Sequence, residues 1–352
     1  MKKPLLLLLF IPLLSFGQVL GDMKNGIDDK FSSLSDGPYV FIKRNRLIEK
    51  MIVNGKVVSK TLSKKKYDRK YYSDKATFKG VEKIAALSDI HGQYDLVIEL
   101  LKNNKIIDKA LNWNFGSGHL VIVGDVFDRG EKVNELLWLI YKLEIQAKNK
   151  GGRLHFLLGN HEYMVLQKDL RYIANKYKLS SQLLNLDYSE LYSDKTIIGR
   201  WLRSKSTIIK INDNVFVHGG VSKEFIDKNG VDLEKLNTMM REHIDTPKKR
   251  MKSLGYYDLY YGPKGLIWYR GYFQKYGDLK EVDISRILKL LDSKHIVVGH
   301  TSEKEVVQLY NNKIFAVDSS IKRGEYGEIL IIKNKRFFKG TLGGKLIELP
   351  NP

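Results

Sequence analysis

The chain has 352 residues, of which 43% are hydrophobic and 11% aromatic, so it can bury a sizeable core and is not a disordered chain or a short peptide factor. It has no cysteine, which excludes a disulfide scaffold, a thiolate zinc site and a cysteine nucleophile. The formal net charge is +20, but the basic residues are mostly lysines spread along the whole chain. This pattern favours a solvated surface that attracts anionic substrates, and we expect no specific nucleic-acid partner.

The N-terminus has the pattern of a targeting sequence. Lys2 and Lys3 precede an apolar stretch at residues 5–16, which is shorter than the about 20 residues that a membrane-spanning helix needs. A basic start, a short apolar stretch and small residues at its end are typical of a secretory signal. We therefore predict a signal peptide at residues 1–17 and an exported protein, periplasmic or secreted, without a membrane span.

Residues 18–80 differ in composition from the rest of the chain. Asn54-Gly55 separates two segments of β-type composition, and this dipeptide is a strong signal for a tight β-hairpin turn. A stretch rich in lysine and tyrosine follows at residues 60–79. We predict a small N-terminal β appendage and a connector, to which the sequence assigns no function.

From residue 81 to residue 352, short apolar strands alternate with helical patterns, which predicts a layered α/β catalytic domain. The predicted strands are 83–88, 119–123, 153–158, 214–217, 295–298 and 313–317, the main helices are 93–104 and 132–148, and the final segment, 328–349, is predicted to form edge strands. Two longer segments, near 163–206 and 222–268, are predicted to be mostly helical caps at one rim. Their tyrosines, such as Tyr256, Tyr257, Tyr260 and Tyr261, are expected to pack rather than to line a substrate groove.

Five of the predicted strands end in polar clusters. These clusters are Asp-Ile-His-Gly at 89–92, Gly-Asp-Val-Phe-Asp-Arg-Gly at 124–130, Gly-Asn-His-Glu at 159–162, His-Gly-Gly at 218–220 and Gly-His at 299–300. The loops after strands converge at one edge of an open α/β sheet, and ligands bind there. The sequence therefore predicts one site built from all five clusters.

The clusters supply oxygen and imidazole donors that suit divalent metals such as Mn, Fe or Zn. The donors are Asp89, His91, Asp125, Asn160, His218 and His300. Six donors exceed the needs of one metal that also binds water, whereas two metals that share one carboxylate would use all of them. A metal pair lowers the pKa of bound water from about 15.7 to about 7 and so generates hydroxide for hydrolysis of a phosphate ester. Arg129 could then bind the phosphoryl oxygens through paired N–H donors.

This set of motifs resembles the calcineurin-like metallophosphoesterases. It is most similar to their phosphoprotein-phosphatase branch, whose second signature, Gly-Asp-x-x-Asp-Arg-Gly, is found at residues 124–130. The Trp-Tyr-Arg-Gly-Tyr segment at 268–272 resembles the Shewanella-like protein phosphatases of that branch. The resemblance covers residues 80–335 and implies a four-layer α/β sandwich, in which two mixed sheets are flanked by helices.

The resemblance also implies a role for each matched residue. Asp89 and His91 are expected to hold a first metal, Asp125 to bridge the two metals, and Asn160, His218 and His300 to hold a second. His161 matches the general acid, with Asp128 orienting its ring, while Arg129 and Arg270 match the two phosphate-binding arginines. Asn160 is also expected to contact substrate, and Glu162 to support its loop rather than to bind metal.

The predicted function is hydrolysis of a phosphomonoester, in a phosphoprotein or a small molecule, by direct attack of a metal-bridging hydroxide. Ser302 stands where many phosphodiesterases of the superfamily carry a second histidine, which favours monoester substrates. One alternative is a nucleotide or dinucleoside-polyphosphate hydrolase, or a phosphodiesterase, with the same metals. Another is a cationic module that binds nucleic acid or an anionic envelope surface without turnover.

Overall fold

The computed structural model describes residues 31–277 and 279–350. The predicted signal peptide lies outside the described residues. The strands are β1 (Asp36–Ile42), β2 (Leu47–Val53), β3 (Lys56–Leu62), β4 (Thr77–Phe78), β5 (Lys83–Leu87), β6 (His119–Ile122), β7 (Arg153–Phe156), β8 (Ile208–Ile211), β9 (Asn214–Val217), β10 (His295–Val298), β11 (Val307–Leu309), β12 (Ile314–Ala316), β13 (Glu328–Lys333), β14 (Arg336–Thr341) and β15 (Leu346–Glu348). The α-helices are α1 (Tyr94–Asn103), α2 (Val133–Asn149), α3 (Asn160–Leu166), α4 (Asn175–Leu184), α5 (Ile197–Leu202), α6 (Lys223–Asn229), α7 (Leu233–Glu242), α8 (Lys248–Ser253), α9 (Tyr257–Tyr260) and α10 (Glu281–Leu290), and 3-10 turns lie at Tyr188–Tyr192 and Ile321–Arg323.

Two six-stranded mixed sheets form the centre of the molecule. Their strand orders are β15-β14-β13-β5-β6-β7 and β11-β12-β10-β9-β8-β4. In the first sheet β5, β6 and β7 are parallel, and in the second β9, β10 and β12 are parallel. Helices pack outside the sheets, and the fold class predicted from the sequence is confirmed.

The two sheets pack face to face because successive side chains of a strand point to opposite faces. Val121 of the first sheet belongs to the same buried cluster as Phe216 and Val297 of the second. Leu120, the neighbour of Val121, points the other way, into the cluster that includes the apolar side of α2. Strands covered on both faces have near-continuous apolar sequences, which is why these strands were recognisable from the sequence.

The loops that follow the strands join the two sheets at one edge. In the first sheet, the backbone N–H of His91 donates to the carbonyl of Asp125, at 3.0 Å. In the second, the N–H of Gly299 donates to the carbonyl of His218, at 2.9 Å. A bond between the sheets runs from the N–H of His300 to a carboxylate oxygen of Asp89, at 2.8 Å. The backbone N–H of His161 donates to a carboxylate oxygen of Asp125 at 3.0 Å, so all five polar clusters meet at this edge.

The N-terminal strands β1, β2 and β3 form a separate small antiparallel sheet. Asn54 and Gly55 make the turn between β2 and β3, with φ of 46° and 74°, and the predicted hairpin is confirmed. The small sheet docks on the rest of the chain, since the indole N–H of Trp138 on α2 donates to the carbonyl of Pro38 at 2.8 Å.

Four strands differ from the sequence prediction: β8 and β11 were not predicted, and β4 and β13 occupy positions that were not expected. β4, within the predicted connector, pairs with β8 and extends the second sheet; two residues are too few to show a period in a sequence. β13, predicted as an edge strand, lies between β14 and β5, and its apolar sequence fits this covered position. Among the residues described, no helix is long and apolar enough to cross a membrane.

Candidate metal centre and active site

The backbone at the five clusters is held in a conformation that side chains seldom adopt. Six of the ten predicted site residues have φ between 45° and 72°, in the left-handed region: Asp89, His91, Asp125, Asp128, Arg129 and His300. Non-glycine residues are uncommon there, and each costs about 1–3 kcal/mol unless its surroundings stabilise it. Such residues cluster at functional sites, where the strained backbone holds a side chain in the position that its function needs.

Two glycines allow the clusters to approach each other. A Cβ atom on Gly124 would lie 2.7 Å from the Cα of Gly159 and 2.7 Å from Nδ1 of His218. A Cβ on Gly159 would lie 2.3 Å from Oδ1 of Asp125. Any side chain at these positions would therefore push the loops after β6, β7 and β9 apart.

Asp89, His91 and Asp125 form one side of the centre. Nε2 of His91 lies 3.7 Å from Oδ1 of Asp89 and 3.8 Å from Oδ2 of Asp125. Nδ1 of His91 lies 2.6 Å from the carbonyl of Phe127, which can only accept, so the ring proton is on Nδ1. The lone pair of Nε2 is thus directed at the two carboxylates, as in a metal-binding histidine oriented by a backbone carbonyl.

His218, Asn160 and His300 form the other side. Nδ1 of His218 donates to the carbonyl of Val123 at 2.7 Å, which again leaves the Nε2 lone pair for the centre. This Nε2 lies 3.1 Å from Oδ2 of Asp125 and 2.9 Å from Oδ1 of Asn160. Nε2 of His300 is buried without a hydrogen-bond partner in the described part of the chain.

These donors fit divalent cations. Ligand atoms of Asp125, His218 and His300 lie within 4.8 Å of one another, as do those of His91, Asp125 and His161, so Asp125 belongs to both groups. Burial lowers the pKa of His218, but the charge of Asp125 outweighs it and raises the pKa to about 9. The buried carboxylates thus favour a positive charge next to them. Bound metal ions would provide this charge, and the histidine ligands would then stay unprotonated.

The ring of His300 is held in its neutral form, in which it can bind a metal ion. Burial, and then the charge of His218, lower the pKa of His300 well below its ordinary value. Its unprotonated ring therefore keeps a lone pair on the unpaired Nε2 atom, and an unpaired polar atom in a buried site is costly unless something binds it. A metal ion is the group that satisfies this atom.

His161 and Asp128 form a close pair beside the centre. Nδ1 of His161 lies 2.6 Å from Oδ2 of Asp128, and its Nε2 is directed towards Oδ2 of Asp125, at 3.9 Å. Burial lowers the pKa of His161, but the carboxylates of Asp125 and Asp128 outweigh it, so the pKa is raised. A histidine with a raised pKa and a fixed ring can donate a proton to a leaving oxygen.

Two guanidinium groups lie at the rim. Arg129 lies over the ring of Tyr172, at 5.7 Å, and that ring is 5.4 Å from the ring of His161. Arg270 donates to the carbonyl of His300 at 3.0 Å and to Oγ1 of Thr301 at 3.2 Å. Neither arginine forms an ion pair with a described residue, so both keep N–H donors for an anion. Sequence reasoning missed Tyr172, which lies in no motif.

Glu162 holds the loops rather than the centre. Its buried carboxylate accepts four backbone hydrogen bonds, from the N–H groups of Asp125 (2.8 Å), Val126 (2.7 Å), Phe127 (3.2 Å) and Gly159 (2.7 Å). Burial and the charge of Asp125 raise the pKa of Glu162 to about 7, against the effect of these donors. Glu162 therefore ties the loop after β6 to the start of α3.

Replacing Glu162 with Gln is expected to lower the free energy of unfolding by about 2–4 kcal/mol, because its amide NH₂ would face N–H donors and leave them unpaired. Urea unfolding measures this loss. Glu325→Gln makes the same chemical change at an exposed side chain and is the control. Equal stability of the two variants would show that the carboxylate does not hold these loops.

Ser302 is engaged away from the metal ligands. Its hydroxyl donates to Oδ2 of Asp318 at 2.6 Å, and the ammonium group of Lys322 also contacts this hydroxyl. Burial and the charge of Asp89 raise the pKa of Asp318 to about 7. Ser302 thus belongs to a supporting network behind Asp89. The sequence did not reveal Lys322, because nothing near it forms a motif.

Comparison with known proteins places the chain in a family. Residues 82–304 match the family described as calcineurin-like phosphoesterase. The chain belongs to this family. Members of the calcineurin-like phosphoesterases use divalent metals, and the two His/Asp groups described above could form a dinuclear site. The resemblance stated from the sequence is confirmed, and this calcineurin-like phosphoesterase is a metal-dependent phosphatase.

Individual relatives are similar over most of their length. Shewanella-like protein phosphatase 2 of Arabidopsis thaliana is 25% identical over 294 residues, which is 70% of this chain and 73% of the relative. Shewanella-like protein phosphatase 1 of Plasmodium berghei is 28% identical over 267 residues, 74% of this chain and 73% of the relative. A solved structure described as a cold-active protein-tyrosine phosphatase of a psychrophilic Shewanella species is 41% identical, with a TM-score of 0.86 over 90% of this chain and 99% of that one.

Proposed function

We propose that this calcineurin-like phosphoesterase is a phosphoprotein phosphatase and that the ten residues above form its active site. The observation that carries the proposal is the His161–Asp128 pair, in which Nε2 of His161 faces Asp125, the residue that the two metal-compatible groups share. A metal centre alone fits many hydrolases. An acid placed next to it, with Arg129 and Arg270 at the rim, fits release of an alcohol or phenol from a phosphomonoester.

One metal ion would be held by Asp89 and His91. A second would be held by Asn160, His218 and His300, and Asp125 would bind both ions. When bound, the ions supply Lewis-acid activation of water and of the phosphoryl oxygens. The nitrogen and oxygen donors suit Mn, Fe or Zn, and we propose manganese as the first ion to test.

The chain's own residues bind the substrate and move the proton. Arg129 and Arg270 would direct their free N–H groups at the phosphoryl oxygens, and the amide of Asn160, which lines the same cavity as Arg270, would contact them as well. His161 carries a proton on Nε2 and gives it to the leaving oxygen, which would otherwise depart as an alkoxide or phenoxide. Asp128 fixes the ring through Nδ1 and favours its charged form.

We propose phosphotyrosine in proteins as the substrate. The support is the similarity to the Shewanella protein described as a protein-tyrosine phosphatase, at 41% identity over 90% of this chain. Phosphoserine and phosphothreonine remain the comparison substrates.

We also propose that the protein is exported, to the periplasm or outside the cell. The support is the basic start and short apolar stretch at residues 2–16. Mass spectrometry of the protein recovered from its host would test this: loss of about the first 17 residues is expected, and an intact N-terminus on the accumulated protein would refute it.

The experiment is hydrolysis of an aryl phosphomonoester and of the matched bis-ester, each after chelation and after manganese is restored. Monoester hydrolysis that stops with chelator and returns with metal is expected. Preference for the bis-ester would instead favour the phosphodiesterase or dinucleoside-polyphosphate hydrolase alternative. Tight binding of either ester without turnover would favour a binding module.

A further inference from the structure

A large cavity opens beside the metal centre. It has a volume of about 700 Å³ and is lined by residues of α3, α6, α8, α9 and the segment that precedes α10. Asn160 and Arg270 are among the lining residues, so the cavity is continuous with the site proposed to hold the phosphoryl group. A volume of this order exceeds what a phosphate group fills, and leaves room for several atoms of the group that carries it.

Aromatic side chains form much of the wall. The ring of Trp268 meets the ring of His300 edge-on at 5.4 Å, next to the centre. Farther along, Tyr261 packs on Tyr163 at 5.4 Å and on Tyr257 at 6.2 Å. The sequence favoured packing for the cap tyrosines, and the structure shows that Tyr257 and Tyr261 also line this cavity. Fixed aromatic faces of this kind bind extended peptide segments at low entropic cost.

The charges on the wall are unbalanced. Arg171 pairs with Asp169 at 2.7 Å, and Lys264 pairs with Glu224 at 3.0 Å, so these four side chains neutralise one another. The remaining carboxylate is that of Asp283, which accepts a bond from the backbone N–H of Lys280.

Two lysines remain available. Lys223 on α6 and Lys248 on α8 form no ion pair with any residue in the described ranges, and both are exposed at the cavity wall. Lys248 lies over the ring of Tyr257, at 5.2 Å. With Arg270, the wall thus carries three cations outside ion pairs, against Asp283.

Resting on the proposed phosphoprotein phosphatase function, we propose that this cavity binds the peptide that flanks the phosphorylated residue and selects flanks rich in Asp and Glu. The phosphoryl group would lie at Arg129 and Arg270, with the flank along the aromatic wall. Its carboxylates would meet Lys223 and Lys248, as in other sites where clustered cations bind acidic motifs. The net charge of +20 would also speed the encounter with an acidic peptide.

The test compares the double variant Lys223→Ala/Lys248→Ala with Lys228→Ala/Lys249→Ala. The control removes two lysines from the same helices, α6 and α8, at exposed positions that do not line the cavity. Each variant is assayed with p-nitrophenyl phosphate and with two phosphotyrosine peptides, which are identical except that Glu and Asp in the flanks of one are Gln and Asn in the other.

The unaltered enzyme is expected to prefer the acidic peptide. The Lys223→Ala/Lys248→Ala variant is expected to lose about five- to tenfold in kcat/KM for that peptide alone, which is the size of effect that two exposed ion pairs can have. The loss should arise from a higher KM. The preference should shrink as salt is raised, because the charges are exposed. Equal loss in the control variant, or equal rates on the two peptides, would overturn the proposal. Hydrolysis of p-nitrophenyl phosphate but of neither peptide would also overturn it while leaving phosphatase activity intact, whereas failure on all substrates with metal bound would refute the proposed function itself.

Discussion

Asp125→Asn is expected to lower kcat for a phosphomonoester by about 10³-fold or more, equivalent to at least about 4 kcal/mol of transition-state stabilisation. Asp125 is the one residue shared by both metal-compatible groups, and its Oδ2 lies 3.1 Å from His218 and 3.8 Å from His91. Loss of its charge therefore weakens both metal sites at once. Steady-state kinetics at saturating manganese measures the effect.

The fold should survive this substitution. Oδ1 of Asp125 accepts the backbone N–H of His161 at 3.0 Å, and an amide oxygen can accept the same bond. In metal-free protein the melting temperature is expected to fall, because the charge of Asp125 raises the pKa of buried His218 and its loss leaves that ring without its partner. Asp194→Asn, at an exposed side chain, is the control. A variant at Asp125 that keeps both full activity and its full metal content would show that Asp125 does not bridge.

His161→Asn is expected to slow hydrolysis according to the leaving group. An alkyl phosphate should lose about 10²–10⁴-fold in kcat, because its alkoxide needs a proton as the bond to phosphorus breaks. p-Nitrophenolate leaves without protonation, so the loss on p-nitrophenyl phosphate should stay below about tenfold. The measurement is a plot of log kcat against leaving-group pKa, which should be steeper for the variant than for the parent enzyme.

Asp128→Asn should act in the same direction through the ring that it orients. The 2.6 Å contact between Asp128 and Nδ1 of His161 supports the charged ring, and an amide would support it less. The alkyl phosphate should again suffer more than the aryl one. Equal losses on both substrates, for either variant, would mean that the pair binds phosphate or metal and does not supply the proton.

The site residues could be predicted from the sequence where they come directly after a strand. Each cluster, such as Gly-Asp-Val-Phe-Asp-Arg-Gly at 124–130, comes after an apolar run whose composition marks a covered strand. Because parallel strands end at a common edge, order along the chain was enough to bring the clusters together. The positive φ angles of Asp125 and Asp128 could not be predicted from the sequence, in which the only related signal is the pair of glycines, Gly124 and Gly130, at the ends of this cluster.

The remaining features depend on contacts between irregular segments. Tyr172 reaches His161 from a loop, and Lys223 and Lys248 reach the cavity from two short helices far apart from Asn160 in sequence. No periodicity specifies where such segments fold back, since their tertiary packing decides it. The same holds for β4, whose pairing with β8 is a tertiary contact.

The central claim is that Asp89, His91, Asp125, Asn160, His218 and His300 form a dinuclear centre on which phosphomonoester hydrolysis depends. The most direct measurement is titration of chelated protein with manganese, in which bound metal and hydrolysis of a phosphotyrosine peptide are followed in the same samples. We expect two metal ions per chain at saturation, with activity absent from the metal-free protein and full when both are bound. Full hydrolysis by protein shown to be metal-free, or saturation of activity with metal bound only outside these six residues, would contradict the claim.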